Sequence, residues 1–176
     1  MRVVIVVSVV LLMAGCGDSE SRGVEGTDPA VWARNVCTAF RNWRAPTNAD
    51  LLRRLEKPKG TVEARTVLIA FWGDAVARTD DFLRDLDAAG SPAVEDGDKM
   101  AQGLRRGIVI LRTAFARAKE RSRGLPVDDR ESFVAMNRRI AESIEPAGER
   151  MERYFDRMDE SLKTPELDRI FDSECP

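Results

Sequence analysis

The sequence predicts an all-α protein, an antiparallel up-down four-helix bundle with its first helix broken at Pro46 and a short C-terminal helix. Three observations lead there. Apolar residues recur at three- and four-residue steps from about residue 29 onward, and no segment alternates with period two. Glycine and proline gather between those runs, at Pro46, at "KPKG" (57–60), at "GSP" (90–92) and at "GLP" (124–126). The runs also match in length: three would each span roughly 40 to 50 Å as helices, and two shorter ones laid end to end supply the fourth. Short connections make neighbours antiparallel. Two independent helical hairpins are the alternative arrangement.

From the N-terminus, Met1-Arg2 gives one positive charge, and Val3 to Met13 is apolar except for Ser8. That is the length of a signal-peptide core, whereas a membrane-spanning helix needs roughly 20 apolar residues. Small residues Ala14-Gly15 are followed at once by Cys16. The stretch "LLMAGCG" resembles the lipobox of bacterial lipoproteins, with Met13 standing where leucine is usual. The resemblance implies cleavage before Cys16, a diacylglyceryl thioether on its sulfur, and further acylation by chains such as palmitate. A plain secretory signal beside an incidental cysteine is the alternative. One acyl chain anchors marginally and two anchor firmly. Residues 1–15 are therefore expected to be the signal peptide, and 16–27 the lipidated cysteine with its tether. "GDSESRGVEGT" (17–27) is polar and glycine-rich, with a root-mean-square span of about 18 Å. No other segment is long and apolar enough to span a bilayer.

Residues 28–176 are expected to form the bundle domain. Asp28-Pro29 reads as a cap with proline at the first helical position; Ala33, Val36, Phe40 and Trp43 form the stripe, with Trp32 and Cys37 beside it. Pro46 interrupts, and Thr47-Asn48 restarts a short helix through Leu51, Leu52 and Leu55. The helix from Thr61 to Ala89 lines up Leu68, Trp72, Ala75, Phe82 and Leu86. The next runs from Pro92 or Asp98 to Arg123, with Met100, Leu104, Ile108, Leu111, Phe115 and Ala118 inward. "DDRE" (128–131) reads as a capping box in which Glu131 reaches back to Asp128. One long helix then carries Phe133, Met136, Ile140, Ile144, Ala147, Met151, Phe155 and Met158, kinked at Pro146. A last short helix from Thr164-Pro165 buries Leu167, Ile170 and Phe171 and delivers Cys175.

With Cys16 acylated, Cys37 and Cys175 remain in an oxidising compartment, and an even pair there reads as one disulfide. The loop it closes holds roughly 140 residues, for which chain entropy gives about 5 kcal/mol before strain. Two buried free thiols are the alternative.

The motifs "WARNVCTAF", "GSPAVEDG", "GLPVDD" with "SFVAMN", and "TPEL" with "SEC" resemble a family of small secreted or lipid-anchored helical proteins of actinobacteria. The resemblance implies a helical fold and an envelope location, and lends no activity.

Chemistry is constrained by composition. The chain has no histidine, which removes Ser-His-Asp and Cys-His arrangements, zinc helices and di-iron ligands. No phosphate-binding glycine loop is present, and no strand is expected to hold one. "VEDGD" (94–98) resembles a calcium loop but lacks the alternating oxygen ligands and closing glutamate; capping or a solvated bend explains it. Catalytic residues, cofactor and metal are all expected to be absent. Removing 1–15 takes one base, Arg2, and no acid, leaving 27 bases and 30 acids, net −3, a balance that argues against nucleic-acid binding.

Charge is nevertheless polarised. Asp80 to Asp98 holds seven acids and Arg84, whereas Arg105 to Arg123 holds seven bases and Glu120. In an up-down bundle the acidic stretch lies near the tether, and Arg117, Lys119, Arg121 and Arg123 lie at the far tip. Those four are the candidate contact for an anionic partner, such as an envelope protein or wall polymer; a face solvated and salted by its neighbours is the alternative. The expected function is that of a membrane-anchored extracytoplasmic lipoprotein serving as a non-enzymatic interaction or accessory module of the cell envelope. The competing expectation is a bundle carrying a small apolar or lipid ligand between helices, resting on Gly73, Ala75, Gly103, Gly107 and Pro146.

Overall fold

A computed structural model describes residues 26–45, 49–162, 169, 170 and 173. The expectations on the leader, Cys16, most of the tether, Pro46, Thr47-Asn48, Thr164-Pro165, Leu167, Phe171 and Cys175 lie outside those residues. The fold is an all-α helical bundle. Its helices are α1 (Pro29–Arg44), α2 (Ala49–Glu56), α3 (Thr61–Ala89), α4 (Gly97–Arg123), α5 (Arg130–Glu142) and α6 (Glu145–Leu162).

Direction follows from which residues meet. Asp87 faces Arg105, Asp80 faces Arg112 and Gly73 faces Lys119. Each two-turn step back along α3 is a two-turn step forward along α4, so the pair is antiparallel. Trp32 bonds Gly90 and Trp43 bonds Thr79, which sets α1 antiparallel to α3. α2 continues in the same sense: Arg54 reaches Glu63, and Leu55 packs against the cluster holding Ala64 and Leu68. Gly103 faces Met158 and Gly107 faces Phe155, making α6 antiparallel to α4.

Two apolar clusters succeed one another along the bundle. At the end where the chain enters, Trp32, Val36, Ala39, Phe82, Leu83, Leu86, Ala89 and Ile108 close together, with Met151, Phe155 and Ile170 against them. At the other end, Ala64, Leu68, Trp72, Ala118, Leu125, Phe133 and Ile140 do the same. Each large side chain so removed from water contributes roughly 1.5–3 kcal/mol.

The structure departs from the expected elements in four places. The long last helix is two helices: the Ser143 amide donates to the Arg139 and Ile140 carbonyls, and that of Ile144 to Ala141, tightening and ending α5. Pro146 then falls in the first turn of α6, where its missing N–H costs nothing. The cap of α5 is Asp129, one residue later than expected; it accepts from the Glu131 amide and the Ser132 hydroxyl, and Glu131 is too close to reach back. Phe40 is 41 % exposed, under the Arg44 guanidinium at 5.6 Å, while Trp32 at 2 % takes the central place. The buried face of α1 is centred on Trp32, Ala33, Val36 and Ala39, and Phe40 lies at its margin. Met136, on the outer side of α5, is likewise exposed.

Candidate functional site

The chain enters the bundle at a built joint. The Thr27 amide donates to the Ser91 carbonyl (2.7 Å), the Ala93 amide donates to the Thr27 carbonyl (2.8 Å), and Thr27 Oγ1 donates to the Ala89 carbonyl (2.9 Å). Trp32 Nε1 donates to the Gly90 carbonyl (2.9 Å) from the next turn. Gly90 holds φ at +72°, a left-handed turn where glycine is unstrained. A Cβ on Gly97 would run into the Pro92 carbonyl, so only glycine lets α4 start against this turn. Asp96 beside it, at φ +58°, is the N-cap of α4 but makes no side-chain capping bond; its carboxylate meets the Lys99 ammonium at 2.6 Å. "VEDGD" is therefore a turn with an ion pair, and among the described residues no group of three or more acids or cysteines is placed to hold a metal ion.

The charge polarity resolves into a cross-helix ladder. Antiparallel alignment brings the acids of α3 onto the bases of α4: Arg105 Nε meets Asp87 at 2.8 Å, and Arg112 grips Asp80 with two bonds of 2.8 and 3.2 Å. The Arg112 hydrogen bond holds the Asp80 carboxyl below its usual range, against a smaller desolvation effect in the other direction. Asp80 reciprocally raises the Arg112 guanidinium. Acids at the end of α3 violate the dipole preference, and the neighbouring helix answers them.

The four expected tip bases do lie together at one end of α4 but not on one face. Arg117 and Arg121 are exposed and one turn apart. Lys119 points the other way, its stem and ammonium over Gly73. Arg123 is drawn to Glu120 at 2.5 Å. Asp128, Asp129 and Glu131 are exposed just beyond.

Cys37 is buried, at 6 % exposure. Among the described helices none is long and apolar enough to cross a membrane. The small residues of the carrier reading are mostly contact positions. Gly103 is filled by Met158, Gly107 by Phe155, and Lys119 covers Gly73. Ala75 opens on a surface cleft of about 260 Å³, walled by Trp43, Phe71 and Phe115 with Asp74 and Arg78 at its edge. There Arg78 donates to the carbonyls of Trp43 and Ala45 and so closes the end of α1.

Sequence reasoning did not find a second cleft, of about 330 Å³, between α4 and α6. Lys99, Arg106, Tyr154, Arg157, Met158, Ser161 and Gly103 line it, and among the described residues no carboxylate does. Its members are some fifty residues apart in sequence, so only their helical spacing within each run hinted at it. Comparison with protein-family models, with curated proteins and with solved structures finds no match to this chain.

Proposed function

We propose that the chain is a lipoprotein on the extracytoplasmic face of a cell membrane, held by acyl groups on Cys16 and serving the envelope as a non-enzymatic interaction module. One observation carries the reading: Thr27, which ends the polar 17–27 stretch, is bonded into the 89–93 turn at one end of the α3–α4 hairpin. An anchor there would hold one end of the bundle by the membrane and display the other about 40 Å away, from the 1.5 Å rise of α4. Arg117 and Arg121 then face outward from the far end, available to an acidic envelope protein or anionic wall polymer.

Cys175 is the partner we assign to Cys37. Ile170 packs against the cluster that includes Trp32 and Val36, and so lies beside the stretch of α1 carrying Cys37. Such a staple would tie the last segment to the first helix.

The test is the intact mass of the natively expressed protein, with and without Cys16→Ser. A diacylated species beginning at Cys16, lost with its membrane retention in the serine variant, is expected. An uncleaved, unmodified leader in the native protein overturns the anchor. Crosslinking in the native envelope identifies the partner, and a Cys37–Cys175 peptide in the non-reduced digest checks the staple.

A further inference from the structure

We propose that the cleft between α4 and α6 is a receptor for the headgroup phosphate of an anionic phospholipid in the membrane that holds the tether; its placement rests on the anchored reading above. Lys99, Arg106 and Arg157 surround the cleft, Tyr154 and Ser161 add hydroxyls, and Gly103 with Met158 gives an apolar floor. Arg106 uses Nε on the Gln102 carbonyl (3.3 Å), which leaves its two terminal nitrogens for a ligand. Arg157 makes no ion pair or hydrogen bond among the described residues. Lys99 shares its charge with Asp96, outside the lining. Two guanidinium groups and an ammonium, with no carboxylate among the described lining residues, match a phosphate, which arginine binds bidentately.

The helix faces explain why the cleft stays basic. Tyr154, Arg157 and Ser161 follow one side of α6 at three- and four-residue steps, while Glu149, Glu152, Asp156 and Asp159 follow the opposite side. On α4, the acids of α3 meet Arg105 and Arg112, on a different face from Lys99 and Arg106. The acid-rich end of α3 is thus partly neutralised and turned away.

Position selects the occupant. Lys99 lies in the first turn of α4, against the 89–93 joint where the tether enters, and Arg106 is about 10 Å further along the helix. The tether expected from the sequence, with a root-mean-square span of about 18 Å, would keep that end within reach of headgroups. The glycerol and acyl carbons of a lipid would lie toward the apolar floor.

The experiment uses the native lipid-anchored protein in vesicles of phosphatidylcholine alone or with phosphatidylglycerol. An arginine-selective dicarbonyl reagent is applied, and modification is mapped by mass spectrometry. Arg106 and Arg157 should react about fivefold more slowly with the anionic lipid present, the effect of one basic side chain at an anionic surface. Arg121, at the far end, should react equally in both. Arg157→Gln, a substitution on the exposed surface, should remove the protection of Arg106 while leaving the circular dichroism unchanged. Equal rates at Arg106 and Arg157 in both vesicles overturn the proposal. So does equal protection by inorganic phosphate without vesicles, or protection by a soluble anionic wall polymer but not by lipid. Flotation separates this from the anchor: failure to float with either vesicle sinks both readings. Flotation with anionic vesicles alone, abolished by Arg157→Gln, keeps the cleft and rejects the anchor.

Discussion

Glycines at helix–helix contacts give the sharpest check on the packing of α4 against α6. Replacing glycine by alanine inside a helix gains about 1 kcal/mol from propensity alone. At Gly148, in α6, a Cβ meets nothing within 4 Å, so Gly148→Ala should realise that gain. At Gly107 the Cβ overlaps Cε1 and Cζ of Phe155, inside the 3.0 Å that real Cβ atoms keep. The ring cannot turn aside freely, because it packs against the first apolar cluster and edge-on to Tyr154. Overpacking of this kind costs about 1–3 kcal/mol, and a blocked aromatic puts the cost at the upper end. The net expectation for Gly107→Ala is a loss of about 2 kcal/mol, or roughly 4 to 8 °C in Tm for a domain of this size. Gly103→Ala runs into the sulfur and Cγ of the flexible Met158 side chain and meets the Tyr154 hydroxyl only at ordinary contact distance, and should fall between the two. Thermal and urea unfolding followed by far-UV circular dichroism measures all three. If Gly107→Ala stabilises as much as Gly148→Ala, the close approach of α4 and α6 is wrong.

Further outcomes follow from the polar contacts. Asp80 has its folded pKa lowered by the Arg112 hydrogen bond, from an ordinary value of 3.8. Its contribution is therefore present above that value and lost as pH falls through the lower, folded one. Both partners are about two-fifths exposed, and screening limits the pair to about 0.5 kcal/mol. Asp80→Asn should thus lower the urea midpoint slightly at neutral pH and converge with the parent in acid; an unchanged gap across that range rejects the assignment. Thr79 is fully buried, donating to the Ala75 carbonyl at 2.7 Å and accepting from Trp43 Nε1 at 3.2 Å. Thr79→Val keeps the shape but strands the indole N–H, at a cost of roughly 1–3 kcal/mol, read as a lower urea midpoint and altered tryptophan emission.

Much of the fold was legible in the sequence. The helices could be read because an amphipathic helix repeats on a short period and because glycine and proline stop it locally. Break points could be read too, yet their form could not. A proline in a long run suits a kink or a first turn equally, and Ser143 and Ile144, with no breaker chemistry, decide the matter by how α5 and α6 pack on α4. Phe40 looked central because periodicity assigns an apolar stripe and cannot fix its edge; contact with α3 placed Trp32 there.

The candidate site was less legible. The clustering of acids in 80–98 and bases in 105–123 was plain, whereas its meaning needed the antiparallel register that sets Asp80 against Arg112 and Asp87 against Arg105. The glycines of α4 read more readily as close contacts than as a cavity, and Met158 and Phe155 pack against them. By itself the sequence determined what each short stretch must do, since helix period, capping and turn chemistry act within a few residues. Tertiary structure alone decided which charges cancel and which remain together in a cleft. Those outcomes depend on distances between residues far apart along the chain, set by the rotation and register of packed helices.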